Sequence, residues 1–203
     1  MITRSPRVES HGYHTNETAR VYDAIAQDPA FFRFLSQIDA ELASETRGAG
    51  CRHCSGRLHT ADFPRKPRGC PAAVIEEYSW RLSFTCGRCD SRATPPSVRF
   101  LGRRVYVAAV LMLSSPPDSA SARQLQCLLG ISRRTVLRWR RWWTQEFTHT
   151  RLWRALRSRL MPPIAPAQLP QGLLDRLRSK VPTMRLAQAL RLLSPLSVCG
   201  VIR

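Results

Sequence analysis

Four of the seven cysteines fall into two Cys-x2-Cys pairs, Cys51-Arg-His-Cys54 and Cys86-Gly-Arg-Cys89, with residues 55–85 between them. Each pair suits a tight turn that presents two sulfurs while its backbone N–H groups donate to them. Two such turns brought together make a tetrahedral four-sulfur metal site. The interval exceeds the roughly 15–20 residues usual between such pairs. The basic, proline-broken stretch Pro64–Pro71 is expected to absorb the excess as a loop between short strands, and Gly56 and Gly87 to let the turns close.

Four ligands leave no open coordination position, so Cys51, Cys54, Cys86 and Cys89 predict a structural Zn2+ rather than a catalytic one. The segment around them is too small to fold on apolar burial alone, and the metal would serve as its core. A redox dithiol is the competing reading, but it expects one pair in a βαβ setting, whereas these two pairs lie among β-favouring residues and turns. His53, His59 and Cys70 lie close enough in sequence to replace a cysteine ligand, yet they do not complete a second set and are expected to face solvent from loops. Cys127 is expected to be a small core residue, and Cys199 has no evident partner.

The second constraint is the stretch Ser121–Trp143, which reads as two helices with a short break. Leu125, Leu128 and Leu129 have the spacing of a buried stripe. Gly130 suits a left-handed helix end, Ile131 plugs the corner, and Ser132 is placed to cap the next helix. Val136, Trp139 and Trp143 form the inward face of the second helix, with Trp142 and Trp143 expected in the core more than on exposed bases. Arg133, Arg134, Thr135, Arg138 and Arg141 point elsewhere. This is a helix-turn-helix pattern whose second helix carries guanidinium groups where a DNA reader needs them.

Charge supports the same partner. The chain has a formal net charge of +18, which favours a polyanion. Residues 97–161 hold 13 arginines against Asp118 and Glu146, so the basic excess coincides with the helix pair. Ser132, Arg133, Arg134, Thr135 and Arg138 are expected to face base edges, where an arginine makes a bidentate contact to guanine. Arg140, Arg141 and Arg104 are expected to meet phosphates. Only Lys66 and Lys180 among the basic residues are lysines. That bias suits bidentate recognition, although GC-rich coding accounts for it equally well.

The remaining chain divides by composition. Residues 1–17 are a polar arm, and 18–50 an acidic amphipathic helical segment and linker with a break at Asp28-Pro29. Residues 51–96 form the ribbon, with Tyr78–Thr85 as a strand, and 97–161 the helix-turn-helix domain. Residues 162–203 are a proline-rich connector and a leucine-rich helical tail. The basic N-terminus lacks an apolar core behind it, and the longest apolar run, Val105–Leu113, is too short to span a bilayer. A cytoplasmic, non-membrane protein is expected. No carboxylate pair, Ser/His/Asp set or glycine-rich phosphate loop is evident, so neither an enzyme nor a small-molecule substrate is expected.

Taken in order, C-R-H-C at 51–54, F-T-C-G-R-C at 84–89 and L-L-G-I-S-R-R-T-V-L-R-W at 128–139 resemble the front end of bacterial insertion-sequence transposases. In those proteins a four-cysteine ribbon precedes a helix-turn-helix, and together they recognise the element's terminal repeats. The resemblance covers about residues 51–147. It implies a mainly α protein with a small β zinc ribbon, the helix-turn-helix bundle following the ribbon, acting on double-stranded DNA at the bacterial nucleoid. Two departures stand out. Gln126 occupies a position where such motifs carry Ala or Gly for close helix packing. After Asp118 only Glu146 and Asp175 are carboxylates, so the metal-binding triad of strand transfer is missing. The resemblance therefore implies an accessory or truncated transposition protein whose chemistry a separate transposase supplies. A transcriptional regulator using the same surface is the first alternative. A zinc-ribbon adaptor docking on a polymerase or transposase subunit is the second.

Overall fold

The fold is read from a computed structural model that describes residues 22, 24–102, 104–117 and 119–198. The arm expected over 1–17, and Cys199, lie outside these residues. The described chain is mostly helical with a small antiparallel sheet.

Residues 24–27 are helical, and the break expected at Asp28-Pro29 is where α1 (Pro29–Ala49) begins. Asp28 Oδ1 accepts the Ala30 backbone N–H at 2.9 Å, and Pro29 takes an opening position that needs no N–H donor. Phe31, Phe32, Leu35, Ile38 and Leu42 are buried along one face. The helix ends at Gly50, one residue before the first cysteine.

Between the cysteine pairs the chain forms β1 (Leu58–Thr60), β2 (Phe63–Pro64), a 3-10 turn at Ala72–Val74, α2 (Ile75–Tyr78), β3 (Trp80–Arg81) and β4 (Phe84–Cys86), with β5 (Arg92–Ala93) after the second pair. Strand β4 is central, pairing antiparallel with β1 (Leu58 opposite Cys86) and with β5 (Phe84 opposite Ala93). Strands β2 and β3 form a separate hairpin. The extra length between the pairs is therefore an excursion with its own helical turns, and its Val74 and Tyr78 are buried in the main core.

The strand expected over Tyr78–Thr85 is not continuous. Tyr78 ends a helix, and the rest is split at Leu82-Ser83. Alternation misled here because buried positions are filled by polar side chains. Arg81 is 3% exposed and bonds the Pro95 carbonyl, and the buried Ser83 donates its backbone N–H to Asp62 Oδ1 at 2.8 Å. Burial also draws the Arg81 pKa down to about 10.

Beyond the second cysteine pair, α3 (Ala108–Ser114) is buried on all sides, as a sequence apolar up to its last residue requires. It packs against α4 (Ala120–Leu128) and α8 (Pro182–Leu193). Helix α5 (Arg133–Arg141) runs on as a π turn at Trp142–Glu146 and a 3-10 turn at Phe147–His149. Thr150 Oγ1 then caps α6 (Arg151–Arg157) by accepting the Trp153 N–H at 3.1 Å. Trp142, Trp143, Phe147 and Trp153 form one buried aromatic cluster, so these tryptophans are core. The tail supplies α7 (Gln171–Asp175) and α8, whose Leu186, Leu190 and Leu193 join the core that also holds α1 and α3. Segments of differing composition thus share one core.

One buried ion pair links them. Asp39 of α1, fully buried, accepts from Arg99 Nε at 2.8 Å, the Val98 N–H at 2.6 Å and Ser97 Oγ at 2.5 Å. Arg99 also donates to the carbonyls of Glu77 and Trp80, at 2.8 and 3.2 Å. Removing one partner of such a pair strands a buried charge, at about 3–5 kcal/mol. Asp39→Ala is expected to lower unfolding stability by about that much. The exposed Arg33–Glu77 pair, at 3.5 Å, is expected to contribute less than about 1 kcal/mol on Arg33→Ala. Urea titration of both variants checks this; equal midpoints would contradict it.

Candidate metal centre and basic helix

The two cysteine pairs fold into matching turns. Cys51 donates its N–H to Gly56 O at 3.0 Å, and Cys86 donates its N–H to Ser91 O at 3.0 Å. The Ser55 N–H bonds back to Cys51 O and the Asp90 N–H to Cys86 O. The backbone N–H groups of His53 and Arg88 approach the first sulfur of each pair at 3.5 and 3.4 Å. Ser55 and Asp90 hold the left-handed backbone of each turn, with φ of 56° and 54°. Gly56 and Gly87 let the turns close through the space they leave, not through a left-handed backbone. Gly56 is required by space: a Cβ there would sit 2.9 Å from the Cys86 sulfur and 3.2 Å from that of Cys54. At Gly87 a Cβ would collide with the His59 imidazole.

The four Sγ atoms of Cys51, Cys54, Cys86 and Cys89 lie within 4.8 Å of one another. Cys51 and Cys89 are 3.6 Å apart, and Cys54 is 3.4 Å from both Cys86 and Cys89. A disulfide needs about 2.05 Å, so these are thiols. Metal–sulfur bonds of about 2.3 Å in a tetrahedron place the sulfurs roughly 3.8 Å apart. The donor set therefore fits a tetrahedral metal ion. Leu58 and Phe84 back it from the sheet and Ala43 from α1.

The thiols differ in acidity. Cys89 is drawn down to about 6, first by the Ser91 hydroxyl, 3.3 Å away, and then by the Ser91 N–H. Cys86 is lowered by the Arg88 N–H. Cys54 gains from the Gly56 backbone N–H, but the sulfurs of Cys89 and Cys86 outweigh it and push the thiol up to about 12. Neighbouring sulfurs thus compete for ionisation, a conflict a cation among them relieves.

His53, His59 and Cys70 are not part of the cluster. His53 accepts from Arg52 Nε at 3.1 Å, His59 is exposed on β1, and Cys70 is half-buried against the core. Burial raises the Cys70 pKa. Cys127 corrects an expectation: it is exposed on α4. The buried positions there are Ser121, Ala122 and Leu125 with Leu129 partly covered, and Leu128, also expected inside, is 55% exposed.

Helices α4 and α5 are joined as the glycine and serine suggest. Gly130 is left-handed at φ 58°. The Ile131 N–H returns to Gln126 O at 2.8 Å and the Gly130 N–H to Cys127 O at 3.2 Å, closing the C-terminus of α4. Ser132 Oγ then accepts the Thr135 N–H at 3.3 Å and caps α5. Ile131, Val136, Trp139 and Trp143 are buried. Ser132, Arg133, Arg134, Arg138 and Arg141 are exposed, Thr135 half-exposed.

Not every nearby guanidinium faces out. Arg140 donates to Ser115 O at 2.9 Å and Pro116 O at 3.1 Å, so two of its donor groups serve the end of α3. Arg104 stacks on Trp142, 4.1 Å from the ring centroid, and donates to Leu101 O. Gln126 belongs to the same arrangement: its Nε2 donates to Ser114 O at 2.6 Å. Where a small residue was expected for close helix packing, this side chain satisfies a carbonyl at the end of α3. Ser91 and these inward arginines carry no signal in sequence, because neither letter says where its donor points.

The chain matches no protein-family model, no curated protein and no solved structure. The site is therefore read from its own residues. Purified protein is expected to carry one metal ion, by elemental analysis, and Gly56→Ala to retain much less. Undiminished metal in Gly56→Ala would contradict the packing described for the sulfurs.

Proposed function

We propose that the chain is a sequence-specific double-stranded-DNA-binding protein with a structural zinc ribbon and a helix-turn-helix. The observation that carries this reading is the outer face of α5. Arg133, Arg134, Arg138 and Arg141 stand exposed there, while Val136 and Trp139 hold the opposite face in the core. Among the described residues the ion pairs are Arg33–Glu77 and Arg99–Asp39, and neither uses α5. Four guanidinium groups on one capped helix, free of carboxylates, suit a polyanion.

In this reading Ser132, Arg133, Arg134, Thr135 and Arg138 approach base edges from the N-terminal part of α5, and an arginine engages guanine N7 and O6. Arg141 contacts a phosphate, which supports affinity without sequence information. Arg140 acts indirectly by holding α5 to the end of α3. Zn2+ at Cys51, Cys54, Cys86 and Cys89 supplies a structural cross-link. The ribbon, mounted on α1, braces or extends the footprint.

The likeness of the ordered ribbon and helix pair to insertion-sequence transposases supports a role in transposition, as an accessory or truncated protein working with a separate transposase. A preferred site within inverted repeats flanking the gene would support that role; a site in a neighbouring promoter would favour transcriptional control instead.

Arg133→Ala with Arg134→Ala, both exposed, is expected to leave the fold intact and weaken binding to a selected duplex at least about tenfold. Arg141→Ala is expected to lower the salt slope by about 1 with little change in sequence preference. Anisotropy titrations across salt concentrations measure both. Unchanged affinity and slope in all variants would contradict DNA reading by α5.

A further inference from the structure

Charge explains most of the outer face of α5, but not Leu137. This side chain is 51% exposed. It lies three residues after Arg134, four after Arg133, four before Arg141 and beside Arg138. Helical geometry therefore sets it within the guanidinium row. The exposure does not come from a loosely seated helix, because Val136 is 3% and Trp139 2% exposed. An aliphatic side chain here neither bonds a phosphate nor gains from water.

Base edges in the major groove offer one apolar group, the thymine C5-methyl. We propose that Leu137 is a specificity-determining residue that packs on a thymine methyl between bases or phosphates engaged by its arginine neighbours. The inference rests on the reading of α5 as a DNA reader. At a rise of about 1.5 Å per residue, Arg134 and Arg141 lie about 4.5–6 Å from Leu137 along the axis. That distance is comparable to one or two base steps of about 3.4 Å. The contacted thymine is therefore expected one or two base pairs from an arginine-contacted guanine. A leucine in this position discriminates against cytosine, whose C5 carries only hydrogen and whose amino donor stands where thymine has its O4 acceptor.

The test uses the full chain and the duplex recovered by selection from a random pool. Each thymine in the recovered site is replaced singly by deoxyuridine, which removes only the methyl group. For the unaltered protein one such replacement is expected to weaken binding about three- to fivefold, the order expected for one buried methyl. Leu137→Ala keeps a good helix former at an exposed position, and circular dichroism verifies its fold. For this variant the penalty at that position is expected to disappear, while the penalties of guanine replacements remain. A recovered site without thymine near the guanines, no uracil penalty, or the same penalty in Leu137→Ala would each overturn the assignment. Loss of the guanine preference in Arg133→Ala with Arg134→Ala would leave the wider DNA reading standing in those cases. Failure of the chain to enrich any duplex would overturn both.

Discussion

The contact between Asp39 and Arg99 determines how the parts of this chain meet. Both charges are withdrawn from water, which costs several kcal/mol per ion unless each is fully bonded. Here the bonding is dense. Asp39 takes three donors, and Arg99 divides its remaining N–H groups between two backbone carbonyls while lying 5.1 and 5.5 Å from the Tyr78 and Phe100 rings. The residues involved mark an entrance and an exit. Helix α1 leads into Cys51, and residues 97–99 lead from the cysteine-bearing segment to α3, so the pair staples the base of that segment. Ser97 extends the staple to the chain's far end by donating its N–H to Ser197 Oγ at 2.8 Å. The four-cysteine segment is thereby held against the helical core.

Two groups of arginines stand out in the structure, and composition cannot separate them. Arg65, Arg81, Arg99, Arg104 and Arg140 point inward and bond backbone carbonyls, several with a guanidinium over an aromatic ring. A guanidinium suits this work because its planar fork meets two carbonyls at once and its face tolerates aromatic contact. Arg133, Arg134, Arg138 and Arg141 form the other population. The inward set anchors the outward set: Arg140 ties α5 to the end of α3, and Gln126 ties α4 to the same place. The proposed role of α5 in reading DNA needs such support, since a small shift in its seating would misalign every base contact.

Local chemistry was the legible part of the sequence. The turn of each cysteine pair, Gly130 followed by Ser132 and the proline at residue 29 each state a need met within a few residues, and the structure meets them there. What depended on distant partners could not be read. Asp39 and Arg99 are 60 residues apart, and although Asp39 falls on the apolar stripe of α1, four residues after Leu35 and three before Leu42, nothing local names its partner. The strand expected over Tyr78–Thr85 is interrupted because two of its buried positions belong to Arg81 and Ser83, whose partners lie elsewhere in the chain. Cys127 and Leu128 are apolar in composition yet exposed, because Ala122 and Leu125 already fill the buried stripe of α4. Position 56 shows the same limit: its glycine follows from the sulfurs around it rather than from the turn.

The central claim is that α5 is the surface that meets DNA. Arginine-selective dicarbonyl labelling of the metal-loaded chain, with and without saturating selected duplex, tests it directly when each site is quantified by mass spectrometry. The expected result is loss of labelling at Arg133, Arg134, Arg138 and Arg141 on adding DNA, with Arg33 on α1 unchanged. Undiminished labelling of these four arginines in the saturated complex would contradict it.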